Sequence, residues 1–316
     1  MLRRFSAVAR TAFVETLAEP VSALLLMSAV LVVHLAPVMQ FTLLSEPGRL
    51  ARDGGFSAIL VFGSFLAVSA ALRAVGREIS SGTAAAALSL PVSRPVFLAG
   101  KIAGVVSAFL IFSVATTCAT VLSEGSCVKG LADAVAAGDG GAARVSKACL
   151  AAGVLSVGAA IAVAAALHRF FNARFAPALF LLLAASQVAA LPAMVFSAGV
   201  PADTRVFPVA APIAAYVCVL AVAAATFACR LRPAAAGACT AALFACSAFV
   251  SLLPRAAGTV AGAVVPDLRN FWLADALSYT GAVPWGYAAS ACGGALALSA
   301  FWFAAGCIAF ANRDLG

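Results

Sequence analysis

Eight long apolar runs, at about 20–45, 55–76, 97–122, 149–167, 177–198, 209–229, 236–253 and 283–310, constrain the fold of this chain more than anything else in it. A helix needs about 20 apolar residues to cross the hydrocarbon core of a bilayer. In lipid the backbone must satisfy its own hydrogen bonds, so a crossing segment is either a helix or a strand of a closed barrel. Barrel strands alternate apolar and polar residues, and these runs do not alternate. The reading is an all-α, polytopic transmembrane helical bundle forming a single domain, 1–316. With 64% hydrophobic and 10% charged residues, the chain has too little polar surface to cover a water-soluble globule of its size. Two runs, 149–167 and 236–253, are short, so six crossings with re-entrant pieces is the alternative count to eight.

The charges sort by side. With the N-terminus cytoplasmic and eight crossings, the cytoplasmic side carries 12 basic and 4 acidic residues, and the outer side 8 of each. The whole net charge of +8 then lies inside, as the positive-inside rule requires, and both termini are cytoplasmic. The basic residues come in ones and twos at the ends of runs, which argues against a nucleic-acid partner and for the lipid bilayer. Residues 1–19 place Phe5, Val8, Ala9, Ala12, Phe13 and Leu17 on one helical face, the pattern of an amphipathic helix lying in the interface. A signal peptide is the rival reading, but its apolar core would be shorter than the run that Pro20 opens. The segment 254–284, with Phe271, Trp272 and Tyr279, is expected to form an outer interfacial or re-entrant helix.

Chemistry is sparse. No run carries a central Asp, Glu, Lys or Arg, the groups that ion-coupled carriers use at mid-bilayer. His34 and Gln187, near the middle of the first and fifth runs, are the candidates for lining a substrate path. The competing reading has each satisfied by a neighbouring helix. The nine cysteines include no Cys-x-x-Cys pair and have only two histidines to join, so no metal site of familiar spacing is expected. Cys127 and Cys149 flank one polar loop, where a disulfide is the open alternative. His-Glu-x-x-His, Gly-x-Ser-x-Gly and paired carboxylates are all missing, so no enzyme activity and no cofactor are implied. Gly100-Lys101 is like the end of a phosphate loop, but Pro95 stands at its first glycine and Ile102 where Ser or Thr would hold magnesium. Any ATP chemistry must come from another chain. Gly100-x-x-x-Gly104 has the spacing of a close helix contact, although chance supplies such spacing in a chain so rich in Ala and Gly.

Between the second and third runs, residues 77–101 read REISSGTAAAALSLPVSRPVFLAGK. Ser81 or Thr83 caps a short helix, the alanines and leucines favour it, and Pro91 ends it. So short a helix is marginal alone in water, because nucleation costs more than a few hydrogen bonds return. It needs a surface to dock on. Ala84, Ala87, Leu88 and Pro91 share one face, a small apolar ridge on the cytoplasmic side. A loop that hugs its own bundle is the plainer alternative. Ser93 opens the next helix, with Pro95 in its first turn.

The order Glu78-x-x-x-Gly82-Thr83, a short Ala/Leu helix, Pro91-x-Ser93-Arg94 and Gly100-Lys101 resembles the region between the second and third spans of type-2 ABC transporter permeases (ABC-2 type). The N-terminal helix is similar to that family's elbow helix. The aromatic-bearing outer segment before the last span and the ending CIAFANRDLG are similar to the family's as well. The resemblance implies a multi-pass permease subunit of the cytoplasmic (inner) membrane, of exporter type. It implies as partners two copies of an ATP-binding ABC subunit and a second permease copy or homologue. It also makes 77–96 a coupling region. Glu78 and Arg94 would position the coupling helix, Gly82 would allow the turn into it and Thr83 would cap it. Ala84, Ala87, Leu88 and Pro91 would fill a cleft on the ATPase. Family members commonly have six spans, and the region from Ser123 to Pro233 carries none of the family's motifs. An ion-coupled secondary transporter and a membrane-embedded enzyme remain the alternatives.

Overall fold

The computed structural model of the chain describes residues 2–39, 48–80, 93–136, 147–252, 262, 264–277 and 281–311. Among the described residues there is no strand. The helices are α1 (Leu2–Ala18), α2 (Pro20–Leu35), α3 (Arg49–Ala71), α4 (Arg94–Ala136), α5 (Lys147–Phe171), α6 (Phe175–Ala198), α7 (Phe207–Ala228), α8 (Pro233–Ser247) and α9 (Trp285–Ala311). α3 runs on through a π-helical stretch, Leu72–Arg77, into Glu78–Ser80. Among the described residues seven helices, all of these but α1 and α8, are long and apolar enough to cross a membrane. The chain is an all-α, multi-pass membrane protein.

Local rules set the junctions. Proline disfavours helical backbone in the residue before it, and Glu19, ahead of Pro20, is extended at ψ 124° and separates α1 from α2. Asn172, which tolerates left-handed backbone at φ 54°, ends α5 and folds α6 back along it.

α4 and α7 form the centre of the bundle, with 72% and 78% of their apolar windows buried, whereas α5 and α9 lie at the periphery with 17% each. α4 packs on α1, α3 and α6, and α7 on α3, α8 and α9. Phe56, Phe109, Phe112, Phe180 and Tyr216 fill the space between them. Lipid is as apolar as this core, so helices associate through close contact rather than through a hydrophobic gain. Gly55 and Gly63 of α3 lie so near Thr120 and Phe109 of α4 that a Cβ at either position would collide with the facing side chain.

The face of α1 expected to be apolar is the covered one, and α4 covers it. A Cβ on Gly100 would strike Val8, and one on Gly104 would strike Ala12 and the backbone of Ala9 and Phe13. The spacing attributed to chance is therefore the seat of α1, which depends on two glycines one helical turn apart.

Two helices overrun their apolar runs. α3 starts at Arg49 rather than near 55, and α4 continues through Ser123–Ala136, which reads in sequence as a polar loop. The hydroxyls there are satisfied within the bundle, Ser123 on the Val33 carbonyl at 2.7 Å and Ser126 on the Ser123 carbonyl at 2.6 Å. The seventh run corrects in the other direction. α8 has 15 residues, about 22 Å long at 1.5 Å per residue, short of a hydrocarbon core of about 30 Å. Its last residue, Ser247, meets the Tyr216 hydroxyl at 2.5 Å, partway along α7.

The chain nonetheless crosses between α7 and α9. The last turn of α9 is bonded by Arg94 and Arg230, at the end of the bundle that carries α1. Its first turn is at the far end, where the Tyr287 hydroxyl reaches the Asn270 carbonyl at 3.4 Å. Both α7 and α9 thus run toward the α1 end, and the described residues between them include α8 and short 3-10 turns at Val250–Leu252, Leu268–Asn270 and Ala274–Leu277. Among the described residues, seven helices long enough to cross thus stand against the eight runs read in the sequence. Within 254–284 the described residues include 3-10 turns at Leu268–Asn270 and Ala274–Leu277, and Phe271 and Leu277 are buried, Phe271 with its ring 5.6 Å from that of Tyr216.

Candidate functional site

The α1 end gathers the flanks of the segment predicted to couple. Gly82, Thr83, Ala84, Ala87, Leu88 and Pro91 lie outside the described residues, and the structure describes what holds Glu78 on one side and Arg94 on the other.

Glu78 follows the π-helical stretch of α3, and its carboxylate pairs with the Lys101 ammonium. Lys101 is only 3% exposed and also reaches Glu15 of α1 at 3.2 Å, with the Phe97 ring 5.9 Å away. A buried ammonium needs such company, because desolvation without a partner costs several kcal/mol. One side chain thereby joins α1, α3 and α4.

Arg94 takes a different partner. It donates to the carbonyls of Phe310 at 2.9 Å and Ala311 at 2.6 Å, with its guanidinium over the Phe310 ring at 5.8 Å. Arg230, beyond α7, donates to the Ala309 carbonyl at 3.0 Å. The last carbonyls of a helix have no partner within it and carry its partial negative charge, so two arginines complete α9. The two flanks of 81–92 are therefore tied to different helices, the first to α1 and α4 and the second to α9.

Beside Glu78, α1, Glu19 and the end of α3 enclose a cavity of about 370 Å³ lined by Glu15, Glu19, Arg73, Arg77 and Glu78. Arg73 and Arg77 both face Glu19 Oε1, at 3.6 Å and 3.9 Å.

The two substrate-path candidates meet each other. His34 Nε2 and Gln187 Oε1 are 3.0 Å apart, and the Gln187 amide nitrogen donates to the Ser156 hydroxyl at 2.7 Å. With that amide nitrogen so engaged, its oxygen is left to accept from Nε2. Both side chains are buried, and the imidazole lies on Gly153, where a Cβ would strike the ring. The arrangement links α2, α5 and α6 as an interhelical polar contact, the competing reading of these residues.

Sequence reasoning missed the charges at the far end. Arg52 Nη1 donates to Glu124 Oε1 at 2.9 Å, and their side chains are 1% and 5% exposed. Both lie inside helices because α3 and α4 extend past their apolar runs. The signal available was the helix-forming content of 123–136, rich in Ala, Leu and Val. Nearby, Arg205 donates through Nε at 2.9 Å and Nη2 at 2.6 Å to Asp203 Oδ2, and through Nη1 to the Gly281 carbonyl at 3.1 Å. Burial alone would raise the Asp203 pKa, but the side-chain and backbone hydrogen bonds from Arg205 more than offset it and hold the carboxyl below its ordinary value.

Among the described residues no three of His, Cys, Asp and Glu gather as a metal site. Cys127 is buried within α4, and the side chain of Cys149 lies outside those described. Comparison with protein-family models, with curated proteins and with solved structures finds no match to this chain.

Proposed function

We propose that the chain is the membrane-spanning permease subunit of an ATP-driven ABC transporter of ABC-2 type, an exporter of the cytoplasmic membrane with both termini inside. It pairs with a second permease copy or homologue and with two separate ATP-binding subunits, which hydrolyse the nucleotide. The observation that carries this reading is the anchoring of the residues on either side of 81–92: Glu78 through Lys101 to α1, and Arg94 to the end of α9. A segment held in this way passes a push from a docked partner into both sides of the bundle. ATP binding draws the two ATPases together, displaces the docked segment that carries Ala84, Ala87, Leu88 and Pro91, and shifts α3, α4 and α9 relative to their neighbours. In energetic terms this is a coupling free energy between nucleotide state at one end and access at the other.

The test is co-purification. Leu88→Asp is expected to abolish association with the ATPase while leaving membrane insertion intact, and undiminished association would overturn the docking role.

An ion-coupled secondary carrier is the second reading, and the observation in its favour is the Arg52–Glu124 pair within the spans. Transport abolished by collapsing the proton gradient but untouched by ATP depletion would establish it in place of the first.

A further inference from the structure

We propose that the cavity between α1, Glu19 and the π-helical end of α3 binds the headgroup of a zwitterionic phospholipid with a primary ammonium, a phosphatidylethanolamine. The inference is independent of the transport reading.

Position comes first. The apolar spans of α2 and α3 both end at this cavity. The α3 span, Arg49–Arg77, has 29 residues, about 43 Å at 1.5 Å per residue, so it exceeds the hydrocarbon core of about 30 Å and carries Arg73 and Arg77 into the headgroup layer. The volume, about 370 Å³, is at the small end of ligand pockets, which run from about 300 to 1,000 Å³.

Chemistry narrows the ligand. The approach of Arg73 to Glu19, 3.6 Å, exceeds the reach of a direct hydrogen bond, about 2.7–3.2 Å. Charges at such separations are commonly bridged by a third polar group. Guanidinium forks fit phosphate oxygens, and both arginines lie on the π-helical stretch, a local geometry that recurs at functional sites. The lining also holds the carboxylates of Glu15, Glu19 and Glu78, and Lys101, bonded to Glu15 and Glu78, brings the group to neutrality. A neutral site in which two guanidiniums stand beside the Glu19 carboxylate matches a zwitterion, whose phosphate would meet the guanidiniums and whose ammonium would meet the carboxylate. A purely anionic headgroup would meet Glu19, and a choline would offer its carboxylate no N–H donor.

The full chain, purified in detergent, is challenged with phosphatidylethanolamine, phosphatidylcholine and phosphatidylglycerol, with inorganic phosphate as the headgroup-free control. Native mass spectrometry reads retention and thermal unfolding reads stabilisation. Phosphatidylethanolamine is expected to be retained at about tenfold lower concentration than either other lipid. Arg73→Gln and Glu19→Gln should each erase that preference. Ala18→Leu, which narrows the cavity without changing charge, should weaken retention as well and carries the test if a charge variant fails to fold. Equal retention of the three lipids, a preference for phosphatidylglycerol, or a preference unchanged in the folded variants overturns the proposal. So does stabilisation by inorganic phosphate as large as that by the lipid, which would assign the site to a free phosphate compound.

Discussion

Arg52 and Glu124 close an ion pair at 2.9 Å between α3 and α4, at the end of the bundle farthest from α1. The same two helices are joined at their other end by Glu78 and Lys101, and between these ties Gly55 and Gly63 seat Thr120 and Phe109. Pinned at both ends and interlocked between, α3 and α4 form a stiff antiparallel hairpin. The segment 81–92 joins these two helices in the chain.

The buried pair sets an expectation for stability. Removing one partner strands a charge away from water, so Arg52→Ala and Glu124→Ala should each cost about 3–5 kcal/mol. The double variant Arg52→Met, Glu124→Leu, which strands nothing, should lie closer to the wild type than either single variant. Unfolding in detergent measures all three, and single variants within about 1 kcal/mol of the wild type would mean that the pair behaves as a solvated one.

Gly104 and Gly158 should respond oppositely to alanine. At Gly104 the new methyl meets the backbone of α1, and Gly104→Ala should destabilise by about 1–3 kcal/mol and raise hydrogen exchange across residues 2–18. Nothing lies within 4 Å of a Cβ at Gly158, and Gly158→Ala should stabilise α5 by up to about 1 kcal/mol.

His34 and Gln187 should prove energetically coupled. Interhelical polar contacts in membranes contribute about 0.6–2 kcal/mol, and a double-mutant cycle of His34→Leu with Gln187→Leu should return a coupling in that range. Strict additivity would show that the 3.0 Å contact contributes nothing to stability.

The contact between Asp203 and Arg205 predicts a response to acid. A carboxyl with a depressed folded-state pKa contributes stability that is fully present above its unfolded pKa, about 3.9 for Asp, and is lost as pH falls through the lower folded value. Asp203→Asn should flatten the part of the stability profile below about pH 4 and leave the slope near neutrality unchanged. Calorimetry across the acid range tests this, and an unaltered acid limb in the variant would remove Asp203 from the account.

The helical fold was legible because its cause is local. A run such as 209–229 must satisfy its own backbone in hydrocarbon whatever surrounds it, and α7 occupies that run almost residue for residue. Pro20, and Pro95 in the first turn of α4, act on their own neighbours, so those boundaries were readable too. The face of α1 followed from helical period alone.

What the linear chain left open was the partner of each polar group. Ser123 and Glu124 read as loop because an unpaired carboxylate cannot stay in an apolar helix, and its counter-charge, Arg52, is 72 positions away. His34 and Gln187 are 153 positions apart, and neither announces the other. Whether Gly100 and Gly104 mattered depended on α1 lying across them. The sequence alone determined that the chain crosses a bilayer as helices, since that demand falls on each segment separately. Only the tertiary structure decided which charges are buried and what ties the flanks of 81–92, because the cost of a buried polar group depends on the neighbour that the fold brings to it.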